Sequence, residues 1–515
     1  MSSTANRIVK NTGFLYAKMA ISMFISLYTT RLILNSLGAS DFGIYNIVGG
    51  AIGMLGFLNG AMASATQRYM SYAEGERNKE KQKCIFNVSI ILHFSVAVLV
   101  GVLLIIVGYF FFNGILNIPT ERKSAAIIIY GSLIISTMFT VMTVPYDAMI
   151  NAHENMFYYA AIGIFESVLK LLVAFITVFT LADKLIIYGI LMACIPLVTL
   201  SIMRVYCHKK YEECVISHKK YFDKKLLREM TVFAGWNFLT TITSLLSQQG
   251  INIVLNHFFG TIVNAAQGIT YQLSGQLGAL STQATKALNP VIVKDAGSKQ
   301  RDAMYRASSI GSKIIFFFTT IIFIPVILSV NPLLNWWLKI IPAYTQIFII
   351  LYFLVNIIDT LCLFFNTAIS GIGKIEQMSI LNSVFGLLPF VGCIFLFYLG
   401  FAPYWVYVLM IISSTLKLFS RIYFSYRICN FDLKNMIYND IARPLFCVAF
   451  VIILSVIIKP QFPDTNFAVI TFSLLNMAFY ALTYYLVALT VYERSKINKL
   501  CRDLYQKASY RSKNK

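Results

Sequence analysis

Long apolar runs recur along the whole chain, and the first of them carries charges within it. Residues 11–75 hold two such runs joined by a tight turn at Leu37-Gly38-Ala39-Ser40-Asp41. Both are longer than the roughly 20 residues that ~30 Å of hydrocarbon demands of a helix. The first contains Lys18 and Arg31, and charges at that depth are costly unless they face protein or water. On a helix Lys18, Ser22, Ser26 and Thr29 fall on one face. That face is expected to line an aqueous space.

Only 13% of residues are charged and 58% are hydrophobic, whereas a soluble domain carries ~25% charged residues. With a mean hydropathy of +0.70, the chain reads as an all-α polytopic membrane protein. The first run is too long and too polar for a signal-peptide core, and no small-residue cleavage site ends it, so it is expected to persist as a mature helix. A net charge of +21 invites a nucleic-acid reading. The basic residues, however, flank hydrophobic spans, where the positive-inside rule puts them. The nine cysteines (84, 194, 207, 214, 362, 393, 429, 447 and 501) show no metal-ligand spacing, and the five histidines form no HExxH pair. No metal or cofactor is therefore expected, and His208 and His218 read as solvated members of a basic loop.

Apolar stretches read against breakers and charges give about fourteen spans. They cover 11–37, 43–66, 85–112, 124–150, 155–181, 185–206, 230–256, 262–288, 306–331, 342–371, 376–400, 402–427, 441–459 and 466–492. Lysine and arginine concentrate in alternate loops, including the run from Lys209 to Arg228 and the tail from Arg494 to Lys515. That bias sets both termini and the long loops in the cytoplasm and favours an even number of spans. No outward loop exceeds about a dozen residues, which leaves little room for a catalytic ectodomain. Trp336, Trp337 and Trp405 fall at outward span ends, as interfacial anchors do.

Leu37-Gly38 matches Phe259-Gly260, and Ala65-Thr66-Gln67 matches Ala284-Thr285-Lys286. Such an internal repeat divides the chain into a lobe of six helices (1–206), a basic linker (207–229) and a second six-helix lobe (230–428). Two extra helices (429–492) and a basic tail (493–515) follow. Both halves begin on the same side, so they are parallel repeats.

Polar side chains inside the spans mark candidate sites. Asn237, Thr241, Ser244, Gln248 and Asn252 form one stripe on span seven, and span eight adds Asn264, Gln267, Gln272, Gln276 and Gln283 among glycines. Two readings stand: cavity lining, or interhelical hydrogen bonding with small-residue packing. Glu166 and Lys170, four apart, either neutralise each other or form a switchable pair coupled to a cation. Asp359 has no basic residue at helical spacing. It marks an ion or proton site, or it has a structural partner on another helix. Lys313, Lys417 and Arg421 lie toward cytoplasmic span ends, where snorkelling is the default. The intramembrane balance is cationic and amide-rich, which suits an anionic, sugar-bearing ligand.

The segments NTGFLYAKM, LYTTRLILNSLGASDFGIYNIVGG, LNGAMASATQRYMS and VNAAQGITYQLSGQLGALSTQATKALNP resemble the polysaccharide-transporter branch of the multidrug/oligosaccharidyl-lipid/polysaccharide exporter superfamily. More narrowly they resemble the O-antigen and capsule-unit flippases of the bacterial inner membrane. The resemblance implies a MATE-like V of two six-helix lobes with alternating access, driven by an H⁺ or Na⁺ gradient. The implied cargo is a polyprenyl-pyrophosphate-linked oligosaccharide, and the implied partners are membrane lipid and a glycan polymerase or other envelope-assembly proteins. Under it, Arg31 and Lys18 attract the pyrophosphate, the span-seven and span-eight stripes contact sugar, and Asp359, Glu166 and Lys170 couple a cation. A multidrug exporter on the same fold, and more remotely a glycan polymerase or ligase, are the alternatives.

Overall fold

The computed structural model describes residues 2–53, 56–115, 119–337, 341–459, 466–495 and 498, and every regular element among them is helical. In chain order these are α1 (2–37), α2 (39–53), α3 (Gly56–Gly75), α4 (Lys79–Phe110), α5 (Lys123–Ala152), α6 (Met156–Phe179), α7 (Lys184–Lys210) and the single turn α8 (His218–Tyr221). The second half continues with α9 (224–259), α10 (261–297), α11 (Arg301–Leu328), α12 (Val330–Trp337), α13 (Thr345–Thr360) and α14 (Leu363–Ile372). It ends with α15 (Glu376–Tyr398), α16 (Trp405–Cys429), α17 (Leu433–Ile458) and α18 (Asn466–Ala488), the last two each containing a π-helical stretch.

Ten of these helices are long and apolar enough to cross a membrane, or eleven when the pair α13 and α14 counts as one bent span. The chain is a multi-pass membrane protein. The expected spans 230–256 and 262–288 are helical but fall outside that set, because glycines and amides dilute their hydropathy; of the expected span 43–66 the described residues are helical and are divided between the short α2 and the start of α3. The expected span 342–371 is broken: Leu361 is extended, Cys362 adopts φ +55°, and the axis turns by 41°.

Two kinks share one cause. Gly38 (φ +78°, ψ 168°) parts α1 from α2, and Gly260 (φ +75°, ψ −170°) parts α9 from α10. That region of backbone space is open essentially to glycine alone. The two glycines lie 222 residues apart. The same offset relates Gly75 to Gly297, the positive-φ residues Arg77 and Lys299, and the N-caps Asn78 and Gln300. The described backbone features thus recur at one offset, from each kink to the start of the following helix. This register sets Ala65 against Ala287, three residues from the match that local wording suggests.

The described chain forms two compact units. The first comprises 7–241 and 293–299; the second comprises the N-terminal residues up to 6, 242–292 and the residues from 300 on. In the first, α5 packs chiefly on α7, α4 and α3, around a core of Met70, Phe86, Tyr146, Met149, Met203 and Met230. In the second, α15 packs on α16, which also holds α13. There Phe348, Phe397 and Tyr407 are buried with Ile251 and Leu255.

Candidate functional site

In the first unit the polar face of α1 meets α6. Ser167 donates to Ser22 at 2.8 Å, and the Lys18 ammonium lies 4.4 Å from the centroid of the Tyr159 ring. Thr29 is buried, whereas Ser26 is exposed. Part of this face is thus interhelical contact. Of this face Lys18 alone lines a cavity of about 110 Å³, together with Thr140, Asp147, Glu166 and Thr199 among others. Glu166 also pairs with Lys170 across 2.7 Å, one turn along α6. Pro196 lines the same cavity and interrupts α7, leaving the carbonyl four residues earlier without its helical donor.

Size decides what this cavity can hold. Sites for drug-sized ligands run to ~300–1,000 Å³, and a water takes ≈ 30 Å³. A few waters or a small cation fit; a sugar does not. Two carboxylates and threonine hydroxyls are hard oxygen groups suited to a proton or an alkali cation. Lys18 and Lys170 supply the charges such an ion would displace. Lys18 therefore belongs with the carboxylates of this cavity.

Arg31 stands apart, about 20 Å along α1 from Lys18 by helical rise. It is exposed, and no hydrogen bond or ion pair to it is found among the described residues.

The α9 stripe begins in the first unit with Asn237 and Thr241 and runs into the second with Ser244, Gln248 and Asn252. Thr241 donates to the Asn237 carbonyl at 2.9 Å and Asn252 to Gln249 at 3.2 Å, both within the helix. Ser244 and Gln248 are exposed. The α10 amides do not share a face. Gln267 is buried and donates to Tyr271 at 3.2 Å, Asn264 and Gln283 are half-buried, and Gln272 is exposed. The Gln276 side chain lies outside the described residues.

Asp359, near the end of α13, has a structural partner on another helix. Arg421 of α16 comes within 3.9 Å of its carboxylate. The same guanidinium donates to the Asp359 carbonyl at 2.9 Å and to the Leu361 carbonyl at 3.5 Å. Breaking a helix orphans carbonyls, and Arg421 satisfies them at the α13–α14 break. Its role is therefore capping, and snorkelling is corrected. Lys417 lies against Gly386 of α15. Lys313 does not snorkel either: it is 2% exposed and bridges Glu493 (3.0 Å) and Asp440 (3.3 Å).

No family model matches the sequence, and no curated protein matches it. Solved structures do. An outward-facing multidrug resistance MATE family transporter of the MOP superfamily aligns with a TM-score of 0.71 at 14% identity, over 82% of this chain and 95% of its own. A MATE protein in the straight conformation aligns with a TM-score of 0.69 at 15% identity, over 83% and 96%. A MOP superfamily transporter from Pyrococcus furiosus Vc1 aligns with a TM-score of 0.67 at 15% identity, over 83% and 96%. The fold is that of the MATE transporters.

Within that MATE fold, sequence reasoning missed Asp147. It lies in TVPYDAMI, inside an expected span and two residues after a proline, so the signal that singled out Asp359 was present there too. Asp440 and Glu493 were missed for another reason. They sit beside basic segments, where acids read as solvated, and only the packing of α17 and the 490–493 turn against α11 brings them to Lys313.

Proposed function

We propose that this protein is an ion-coupled exporter that turns a polyprenyl-pyrophosphate-linked oligosaccharide from the inner to the outer leaflet of a bacterial inner membrane. Both termini would be cytoplasmic, as the loop charges favour. The fold supports transport. The observation that carries the cargo is Arg31, an exposed guanidinium inside an apolar span with no carboxylate beside it among the described residues. Such a group is held at depth at a cost that an anionic ligand offsets, and a pyrophosphate suits its forked donors. The exposed members of the α9 stripe, Ser244 and Gln248, supply sugar-facing groups. The cavity of Lys18, Asp147 and Glu166 is the site for the coupling ion, being too small for the cargo.

The fold is also that of a multidrug transporter. One protein sharing it is described as having a binding pocket of reverse polarity that suggests a different function, so the fold alone does not choose the cargo. The test replaces Arg31 with Ala and follows the lipid-linked sugar on the outer leaflet, beside a drug-susceptibility panel on a deletion strain. Translocation should fall at normal protein levels while the panel stays flat. Unchanged translocation removes Arg31 from the mechanism, and broad drug sensitivity favours the multidrug reading.

A further inference from the structure

Helix α7 ends in two lysines, and one face of the helix leads up to them. Ser201, Val205 and Lys209 follow at intervals of four, as do Ile202, Tyr206 and Lys210. Two adjacent rows therefore run about 12 Å along the helix, each ending in an ammonium. With Tyr158 of α6 these residues line an open groove of about 550 Å³, and almost all of its wall is carbon. The Ser201 hydroxyl is spent on the Leu197 carbonyl, to which it donates at 2.8 Å. Sites for drug-sized ligands run to ~300–1,000 Å³, so the groove has room for hydrocarbon rather than for an ion. It lies on a helix long and apolar enough to cross a membrane, at the end of that span.

The aromatic side of the groove is fixed in place. The Tyr158 and Tyr206 rings stack with centroids 3.4 Å apart and planes 14° from parallel, and Tyr211 meets Tyr206 edge-on at 6.0 Å. Asn155, the N-cap of α6, donates to the Tyr206 hydroxyl at 2.6 Å and to that of Tyr211 at 3.3 Å. An apolar ring with a hydrogen-bonded hydroxyl suits the boundary between hydrocarbon and water. Val205, beside this stack, is 55% exposed.

The lysines decide which lipid such a groove selects. Neither Lys209 nor Lys210 makes a hydrogen bond or ion pair among the described residues. The carboxylates nearest in sequence are engaged elsewhere. Glu212 holds Lys79 at 2.8 Å, and Glu213 lies 3.9 Å from Lys79 and 3.8 Å from His153. Lysines in a last turn complement the helix dipole, but that asks only for charge near the helix end, not for two ammonium groups closing an apolar groove. Because the wall is carbon, the lysine stems line it and the charged heads belong to its rim. Basic rims beside membrane spans attract anionic headgroups.

We propose that this groove binds one anionic phospholipid, its acyl chain against Ile202, Val205 and the Tyr158–Tyr206 stack and its phosphate held by Lys209 and Lys210. The site belongs wholly to the first unit and shares no residue with the cavity of Lys18. It requires that the chain spans a membrane and does not depend on the transport reading.

The test titrates full-length protein, delipidated in neutral detergent, with dioleoyl phosphatidylglycerol and counts bound lipid by native mass spectrometry. Dioleoyl phosphatidylcholine carries the same chains without net charge, and glycerol phosphate carries the charge without chains. One phosphatidylglycerol should bind ahead of the rest, the choline lipid about ten-fold more weakly or worse, and glycerol phosphate should not displace it. Lys209→Gln with Lys210→Gln should weaken that first event by roughly ten- to thirty-fold, while Arg at both positions should preserve it. Val205→Trp fills the groove, leaves both charges and should also weaken it. Lys224→Gln with Lys225→Gln removes the same charge outside the groove and should leave it unchanged. Equal binding of the two lipids, or a Lys209, Lys210 variant no weaker than the Lys224, Lys225 one, overturns the site. Displacement by glycerol phosphate, or full binding by a folded Val205→Trp protein, overturns the seat for the chain.

Discussion

Replacing Lys313 with Met tests whether the two C-terminal helices are fastened by buried charge. Lys313 contacts Glu493 at 3.0 and 3.1 Å and Asp440 at 3.3 Å. Asp440 also accepts hydrogen bonds from Tyr305 at 2.8 Å and from Ser309, and Glu493 accepts from the Thr490 amide at 2.7 Å. At an effective dielectric of ~20, each charge pair near 3 Å is worth about 5 kcal/mol before desolvation. Removing one partner of a buried pair costs ~3–5 kcal/mol, because the charges left behind stay unsolvated. The substitution should therefore loosen α17 and α18 from α11. Tryptophan fluorescence during denaturant melts is a suitable monitor, since Trp336 donates to Asn466 at the start of α18. The triple variant Lys313→Met, Asp440→Asn, Glu493→Gln leaves no ion unpaired and should recover most of the loss. A single variant within ~1 kcal/mol of the parent, or a triple variant no better than the single, would refute the argument.

Gly297→Ala forces a methyl against the Tyr72 carbonyl and should cost ~1–3 kcal/mol or shift α10 against α3, read as a longer spin-label distance between positions 77 and 299. Arg421→Ala orphans the Asp359 and Leu361 carbonyls and should cost about 1–3 kcal/mol in melts, only partly restored by Lys, which lacks the fork. Asp147→Asn with Glu166→Gln should abolish ion-dependent transport in vesicles while leaving cargo binding measurable; transport that still responds to the ion gradient sinks the coupling role of that cavity. Moving the guanidinium to the other repeat, Arg31→Ile with Ile253→Arg, should not restore translocation, since the offset returns the backbone position but not its surroundings.

The helical class and the repeat are legible in the sequence because both rest on local chemistry. Hydropathy marks spans residue by residue, and Gly38 and Gly260 stand where only glycine tolerates the backbone. The Glu166–Lys170 pair is legible for the same reason, as one turn of helix brings it together. Asp359 reads as a lone charge because its partner, Arg421, lies on a helix distant in sequence. Lys313 reads as an interface residue from its position near a span end, yet its partners arrive from segments more than a hundred residues away. Lys18 reads as a cavity-lining cation from its charge and from the polar helix face it shares with Ser22, Ser26 and Thr29. The Asp147 and Glu166 carboxylates and the small volume around them belong to packing, which no single helix encodes.

Repetition of backbone with divergence of charge is itself an argument about mechanism. Two identical halves would place the same polar groups at each equivalent point, and neither half could bias a motion one way. Here the offset sets Lys18 against Thr240, Arg31 against Ile253 and Lys294 against Tyr72. The kinks, and the close approaches of Gly75 to the Lys294 carbonyl and of Gly297 to the Tyr72 carbonyl, are kept in both copies. These three charges occur in one copy each. A ligand or proton can shift a two-state element only through a difference in its free energy with the two states. Under the proposed transport reading, single-copy charges beside the duplicated kinks would supply that difference.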